Sequence, residues 1–335
     1  MPADPVEAPV DPRRRIIDAH HHLWADGQGL AGSPAYLLED LQADLGGHNV
    51  VGTVYMECGV SFRAEGPEAL RPVGETEFAA AEAERSQGWR APILGIVAFA
   101  DLMLGDAVEA VLEAHAAAAQ GLLRGVRPNI RVTPGANGQA ATPARDVLPE
   151  AAFRDGLRRL GRGGYVFDAF VNHTQLAQLA QAARDVPETT FVLNHLGVPL
   201  NRDPQGDRGA VTASWRQGMR ETATCPNLRL KIGGIGMDAL FGTGWTGRAP
   251  PPGSDEVVAW WGDDIEFCID TFGPSRCLFE SNFPVDRWAL GYTTIWNAFQ
   301  KIAARYGEAE QDDMFAGVAE RTYCLHPGGK DAQSA

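Results

Sequence analysis

The chain has 335 residues, of which 44% are hydrophobic and 21% charged, a composition typical of globular proteins with one or two domains. Its formal net charge of −14 argues against nucleic acid as a partner, because a phosphate-binding surface needs a basic patch. No segment approaches the ~20 apolar residues of a membrane span, and five cysteines without a Cys-x-x-Cys pair favour buried thiols in a reducing, cytoplasmic compartment.

The N-terminal segment, residues 1–14, is rich in Pro, Asp and Ala and lacks the apolar core of a signal peptide. We therefore predict a disordered tail there. Residues 15–326 are predicted to form one domain, and residues 327–335 a C-terminal tail.

The first predicted strand, residues 16–22, joins an apolar run to three consecutive histidines. Because side chains alternate along a strand, we expect Asp18, His20 and His22 on one face and His21 on the other. Two imidazoles at neighbouring same-face positions can bind one divalent ion, or can polarise a substrate carbonyl without a metal. His20 and His22 are therefore the first candidates for a site.

Short runs rich in β-branched and aromatic residues recur along the chain. They predict seven more strands, at residues 52–58, 93–99, 122–130, 165–171, 190–196, 228–232 and 277–282. Helical segments alternate with them, at residues 75–87, 106–120, 150–160, 175–184, 214–222, 255–271 and 293–306. Alternating strands and helices imply parallel strands with right-handed crossovers, and eight units close a barrel. The predicted fold class is α/β, a single (β/α)8 TIM barrel, with a final helix at residues 311–320 packed across it.

The predicted strand-to-helix loops are long and rich in Gly and Pro, at residues 59–74, 133–149, 197–213 and 237–254. In such a barrel these loops share one face, where active sites are built. The competing fold, an open dinucleotide-binding sheet, has one candidate motif, Gly-x-Gly-x-x-Ala at residues 234–239. A loop with three consecutive prolines follows it instead of a helix, which argues against a dinucleotide site.

Two further histidines end predicted strands. His173 follows the fifth and His195 the sixth, so both are expected at the active-site rim. His48, His115 and His326 lie elsewhere and are expected to be structural. A single-metal hydrolase would also need a carboxylate to take a proton from the attacking water.

Four motifs occur in order along the chain: Asp-Ala-His-His-His-Leu-Trp at residues 18–24, Phe-Asp-Ala-Phe-Val-Asn-His at 167–173, Asn-His-Leu-Gly at 194–197 and Glu-Ser-Asn-Phe-Pro-Val-Asp at 280–286. Together they resemble the amidohydrolase superfamily, specifically the amidohydrolase-related branch that includes lactonases such as 2-pyrone-4,6-dicarboxylate lactonase. The resemblance implies a (β/α)8 barrel that hydrolyses esters, lactones or amides, with decarboxylases on a related template.

The resemblance also implies a ligand set. His20 and His22 would bind a metal or the substrate, with His173 as the further metal ligand and His195 as its alternative; the remaining histidine would contact water or the carbonyl. One divalent ion is expected, zinc being favoured by nitrogen ligands, at partial occupancy. The lactonase branch includes enzymes that work without a metal, so a metal-free mechanism stays open.

The eighth strand departs from the family pattern. Where the family reads Gly-Ser-Asp-Trp-Pro, with Asp as proton acceptor, this chain has Asn282, which cannot accept a proton at neutral pH. Glu280 shares its strand face, one pleat or ~7 Å deeper, and is the predicted replacement. Asp286 is the alternative acid and a further candidate for substrate binding. Glu280 could instead be a structural residue paired with Lys231 or Arg127.

Other polar residues are weaker candidates for substrate binding. Arg127 and Asn129 share a face of the fourth strand, where Arg127 would grip a substrate oxygen or form a salt bridge. Lys231 and Glu57 are mid-strand charges, either a buried pair or substrate contacts. A loop arginine, Arg63, would reach the mouth or stay solvated.

Together these features predict a hydrolase of a small polar lactone or carboxylic ester, acting by water attack on the carbonyl. A non-oxidative decarboxylase on the same barrel is the first alternative. A non-catalytic binding protein is the second, because the usual acid is replaced by Asn282. The expected partner is a small-molecule substrate, and a homo-oligomer stays open.

Overall fold

The computed structural model describes residues 7–29, 33–132, 146–200 and 208–325. Eight parallel strands follow one another around one sheet in chain order. They are β1 (Arg15–His21), β2 (Asn49–Met56), β3 (Ile93–Ala98), β4 (Leu123–Val126), β5 (Val166–Ala169), β6 (Phe191–Leu193), β7 (Leu228–Ile232) and β8 (Cys277–Phe279). The predicted (β/α)8 barrel is confirmed, although all strands but β7 end earlier than predicted.

Helices surround the sheet. They are α1 (Leu38–Asp44), α2 (Val73–Arg85), α3 (Val108–Ala118), α4 (Ala151–Arg162), α5 (Leu176–Asp185), α6 (Arg208–Ala223), α7 (Asp238–Phe241), α8 (Ser254–Phe272), α9 (Tyr292–Ala303), α10 (Glu308–Asp312) and α11 (Val318–Tyr323). The short α1 and α7 were not predicted, and a π-helical turn joins α10 to α11 where one helix was predicted. Within the described residues, none of these helices combines the length and the apolar character needed to cross a bilayer.

Small and branched side chains fill the inside of the barrel. Ile17, Ala19, Val54, Met56, Val97, Val166, Val192 and Leu278 form this inner cluster, together with residues from the C-terminal helices. Tyr323 of α11 reaches into it, and Glu320 of the same helix pairs with Arg15 at the start of β1. The C-terminal helices therefore close the N-terminal end of the barrel, which leaves the opposite end for polar chemistry.

An irregularity in β1 sets the direction of its histidines. Asp18 pairs with Thr53 and His21 with Tyr55, so two residues of β1 face one residue of β2, a β-bulge. The bulge keeps Ala19 inside the barrel and still turns His20 inward. The prediction that Asp18 shares their face is therefore wrong.

Asp18 points outward and joins the two edges of the sheet. Its carboxylate accepts hydrogen bonds from the Ser281 amide at 2.9 Å, the Ser281 hydroxyl at 2.6 Å and the Tyr292 hydroxyl at 3.0 Å. Next to it, the backbone N–H of Asn282 donates to the backbone carbonyl of His20 at 2.9 Å. These bonds fix the end of β1 against the end of β8, where the candidate site lies.

The segment before β1 packs on α9. The Asn297 side chain donates to the Glu7 carboxylate at 3.0 Å and accepts from the Val10 amide at 2.9 Å. The prediction of a disordered tail is therefore wrong for residues 7–14. Residues 1–6 and the predicted C-terminal tail lie outside the described residues, so the outer domain boundaries stay predictions.

Candidate active site

A cavity of about 720 Å³ opens at the C-terminal ends of the strands, on the face that the long loops predicted. Loops after β2, β3, β7 and β8 contribute to its walls. The predicted site residues that line it are His22, Glu57, Arg127, Asn129, His195 and Asn282.

The first-strand histidines meet at the cavity floor. Nε2 of His20 lies 3.0 Å from Nε2 of His22, while Nδ1 of His22 lies 2.8 Å from the Met56 carbonyl oxygen. A carbonyl can only accept, so His22 carries its proton on Nδ1. Arg127 Nη1 lies 3.2 Å from His20 Nε2, and a guanidinium can only donate. With these partners both Nε2 atoms are unprotonated, and the Arg127 guanidinium is the donor that faces His20.

A fully buried carboxylate, Glu280, lies between two histidines. Its Oε1 accepts from His195 Nδ1 at 2.7 Å and from the His195 amide at 3.3 Å. Its Oε2 lies 2.6 Å from His20 Nδ1, but not along the direction of the N–H bond. Glu280 Oε2 and His20 Nδ1 therefore have no directional hydrogen bond. Burial alone would raise the pKa of Glu280, yet the two histidines hold it well below the ordinary value. Glu280 is therefore anionic.

The three histidines of the site are neutral near pH 7. Burial lowers the pKa of His20 and His22 well below the ordinary value, and the charge of Arg127 adds to the effect on His22. Burial also lowers the pKa of His195, although the negative charge of Glu280 partly offsets this decrease. A neutral His195 whose Nδ1–H is held by Glu280 keeps Nε2 free to accept a proton.

The predicted role of Glu280 as the acid that contacts water does not fit this geometry. Glu280 does not line the cavity, and it pairs with neither Lys231 nor Arg127 but with two histidines. It can act on a reaction in the cavity only through the imidazole that separates it from the solvent.

Arg127 forms a nearly buried ion pair at the mouth. Its Nε donates to Glu57 Oε1 at 2.8 Å and its Nη2 donates to the Glu57 carbonyl. Burial raises the pKa of Glu57, and the arginine opposes that rise. Both residues line the cavity, and the salt bridge fixes the position of the guanidinium at its surface.

Lys231 belongs to a different cluster, deeper in the barrel. Its Nζ donates to Asp168 Oδ1 at 2.7 Å, and the same carboxylate accepts from the Tyr323 hydroxyl at 2.8 Å and from Asn194 Nδ2 at 2.9 Å. All four residues are buried. Lys231 is neither the partner of Glu57 nor placed to bind a substrate, and both predictions for it are corrected.

The end of β8 places Asn282 at the cavity and Asp286 behind it. Asn282 adopts a left-handed backbone with φ of 55°, and its Nδ2 donates to Asp286 Oδ1 at 2.7 Å. The Gly236 amide donates to the other oxygen of Asp286 at 2.8 Å. Burial raises the pKa of Asp286 to about 8. Asp286 is enclosed and does not line the cavity, contrary to its predicted role in substrate binding.

Two further predicted residues lie away from the cavity. Arg63 is exposed and pairs with Glu77 on α2. His173 begins a short 3-10 turn after β5, and its Nδ1 accepts from the Leu200 amide at 3.1 Å. The structure therefore corrects the expectation that Arg63 reaches the mouth and that His173 joins His20 and His22.

The sequence did not single out several residues of the cavity. Arg131 lies with its guanidinium 4.2 Å from the ring centre of Phe170, and both line the cavity. Arg131 comes four residues after Arg127, directly beyond the predicted fourth strand. A second positive charge at that strand end could therefore have predicted that Arg131 lies at the cavity. The aromatic lining has no such signal, because a Phe in a strand is equally typical of the core.

A cation fits the donors that converge here. His20, His195 and Glu280 offer ligand atoms that all lie within 4.8 Å of one another. Two nitrogens and one carboxylate oxygen are a ligand set of catalytic zinc. This set replaces the predicted one of His20, His22 and His173. Arg127, at 3.2 Å from His20 Nε2, adds a positive charge that opposes the binding of a cation.

Comparisons with known proteins identify the family of the chain. A family model described as Amidohydrolase matches residues 17–325. An uncharacterized protein of Sinorhizobium fredii, y4mH, is 30% identical over 92% of this chain and 98% of its own length. An L-fucono-1,5-lactonase of Burkholderia multivorans is 26% identical over 95% of this chain and 98% of its own length.

A solved structure shares the fold. A crystal structure of an amidohydrolase from Burkholderia multivorans with bound zinc superimposes with a TM-score of 0.70, at 24% identity, over 93% of this chain and 99% of that one.

Proposed function

The chain belongs to the amidohydrolase family, and from that premise we propose that this hydrolase cleaves a small polar lactone or carboxylic ester in the cavity above His195. The relative named L-fucono-1,5-lactonase supports lactone chemistry, because its similarity extends over 95% of this chain. The observation that carries the proposal is the contact of 2.7 Å between His195 Nδ1 and Glu280.

His195 is the proton carrier of the proposed reaction. Water attacks the carbonyl carbon, and its proton passes to Nε2 of His195. The carbon–oxygen bond to the leaving alkoxide then breaks, and His195 returns the proton to that oxygen. Glu280 holds the imidazole in the required tautomer and stabilises its protonated form, so it is a positioning residue.

Arg127 is the group that stabilises negative charge on the carbonyl oxygen. Its guanidinium lines the cavity and is fixed by Glu57, so it needs no rearrangement when charge develops. The Asn282 amide is already engaged by Asp286, so it is a neutral part of the floor. His22 completes the polar floor beside Arg127, and His20, fully buried, contacts both side chains.

An ion, if bound, would be held by His20, His195 and Glu280. Zinc there would polarise the carbonyl and lower the pKa of water. The family is typically metal-dependent, and zinc is bound in one structural relative.

A lactone and ester panel with titration of the acid released tests this function. Two strand-end histidines provide a matched pair of variants. His195→Gln should lower kcat by about 10²-fold or more, whereas His173→Asn, away from the cavity, should retain most of the rate. Wild-type turnover by His195→Gln would contradict the proposed proton carrier. Release of carbon dioxide from a carboxylic acid would instead support the alternative function of a decarboxylase. Ligand binding without any turnover would support a non-catalytic binding protein.

A further inference from the structure

The wall of the cavity above the histidines is apolar. Four loops, those after β2, β3, β7 and β8, contribute to it. The apolar wall consists of Phe62, Phe99, Met237, Leu240, Val285 and Trp288. Its residues lie above a floor of imidazole, guanidinium and amide groups, so the cavity has a polar end and an apolar end.

Two aromatic side chains of the apolar wall are exposed to solvent. Phe62 is 41% and Trp288 44% exposed, and they are two of the five large hydrophobic side chains exposed among the described residues. The Phe62 ring lies 6.2 Å from that of Phe99, so the exposed aromatic surface continues into the cavity. Exposed apolar surface that continues into a cavity is one of the features of a ligand-binding groove.

Most polar side chains that line the cavity, among the described residues, lie at its floor or directly after β4. Arg127, Asn129 and Arg131 all follow β4. On the opposite side the loop carboxylate, Asp238, already accepts hydrogen bonds from the Thr243 hydroxyl at 2.8 Å and from the Gly244 amide at 2.6 Å. Along the part of the wall that the described residues form, a ligand covered with hydroxyl groups would therefore meet mainly carbon surface.

We infer that the substrate carries an extended alkyl or aryl group, which packs against Phe62 and Trp288 while its carbonyl lies over His195 and Arg127. This inference rests on the proposed lactone or ester hydrolysis and narrows its substrate class. The cavity of about 720 Å³ is of the size that holds drug-sized ligands, which agrees with a substituent beyond the lactone ring.

Three five-membered lactones test the inference: one unsubstituted, one with a hexyl chain and one with hydroxylated carbons. Hexyl substitution should raise kcat/KM at least about tenfold over both others, since each well-packed methylene in an apolar pocket contributes to discrimination. If the enzyme hydrolyses the hydroxylated or unsubstituted lactone as well as the hexyl lactone, the inference is overturned.

Variants of the apolar wall test whether its side chains cause the preference for the hexyl lactone. Trp288→Ala and Phe62→Ala should each lower the ratio of hexyl to unsubstituted kcat/KM severalfold. Trp89→Ala is the matched control, because Trp89 is similarly exposed, at 38%, but lies between α2 and β3 at the other end of the barrel. An unchanged ratio in Trp288→Ala and Phe62→Ala, or an equal fall in Trp89→Ala, would contradict the assignment of this wall.

Calorimetric binding separates this inference from the proposed function. The two probes are the ring-opened hydroxy acids with and without the hexyl chain, added to the wild-type protein and to Trp288→Ala. If no lactone is hydrolysed, the proposed function fails. The apolar subsite is still supported if the wild-type protein binds the hexyl acid more tightly than the other acid and if Trp288→Ala reduces this difference. Equal affinities for the two acids overturn the subsite, whatever the enzyme hydrolyses.

Discussion

Glu280→Gln removes one charge from a buried cluster and keeps its size. In the native site the two carboxylate oxygens of Glu280 face His195 Nδ1 at 2.7 Å and His20 Nδ1 at 2.6 Å. A glutamine offers one accepting oxygen and one amide group that only donates. One of the two histidines must therefore face the amide and move its proton to Nε2.

The size of the effect follows from which histidine loses its acceptor. If His195 loses it, Nε2 is protonated and cannot take a proton from water, so kcat should fall by about 10²–10⁴-fold. That range corresponds to about 2.7–5.4 kcal/mol of activation free energy. KM should change little, because Glu280 does not line the cavity. Since Glu280 raises the pKa of His195, the acid limb of any residual activity should move to lower pH.

The assay is titration of released acid as a function of pH, with urea unfolding of each variant. Glu82→Gln is the control, because Glu82 is a buried carboxylate on α2 that pairs with Arg85, outside the site. It should keep the native rate. If Glu280→Gln keeps the native rate while Asp286→Asn abolishes turnover, the His195–Glu280 assignment is wrong and Asp286 is the acid. A loss of stability at full activity would make Glu280 purely structural.

Three further predictions follow from the ion pair, the ligand set and the buried acid. Arg127→Met leaves the nearly buried Glu57 carboxylate without its partner, so the free energy of unfolding should fall by about 3–5 kcal/mol in urea denaturation; an unchanged value would contradict the pairing. Protein purified without chelator should hold less than one zinc per chain by elemental analysis, and His20→Ala should abolish that zinc while His173→Ala retains it; equal loss would restore His173 as a ligand. Burial raises the pKa of Asp286 from 3.8 to about 8, so its contribution to stability is present below pH 3.8 and is lost as the pH rises through about 8. Asp286→Asn should remove that part of the pH dependence of Tm, and a native dependence in the variant would contradict the raised pKa.

The barrel was predictable from the sequence because its signals are local and repeated. Eight apolar runs alternate with helical segments, and the long loops mark one face. The same reasoning placed His20, His22 and His195 at that face, because each follows or ends a strand. Short elements without a periodic pattern, such as α1 and α7, carry no comparable signal and were missed.

The partners of individual side chains were less predictable, because strict alternation of side chains fails at strand ends. A bulge displaced Asp18 from the face of His20. His195 and Asn282 adopt positive φ of 52° and 55°, which no strand pattern predicts. His173 begins a 3-10 turn, and this turn carries its imidazole to the Leu200 amide instead of to the other histidines.

The depth of Glu280 decides how proton transfer can work in this barrel. Asn282, three residues beyond the end of β8, lines the cavity, and its side-chain amide cannot accept a proton. Glu280 carries the negative charge, but it is fully buried beneath the floor and cannot touch a substrate. His195 contacts Glu280 through Nδ1 and lines the cavity, so it alone of these three joins the acid to the reacting atoms. In the proposed reaction, an imidazole with a carboxylate behind it therefore takes the place of the acid missing from the strand end, so that charge stays buried while the proton moves at Nε2.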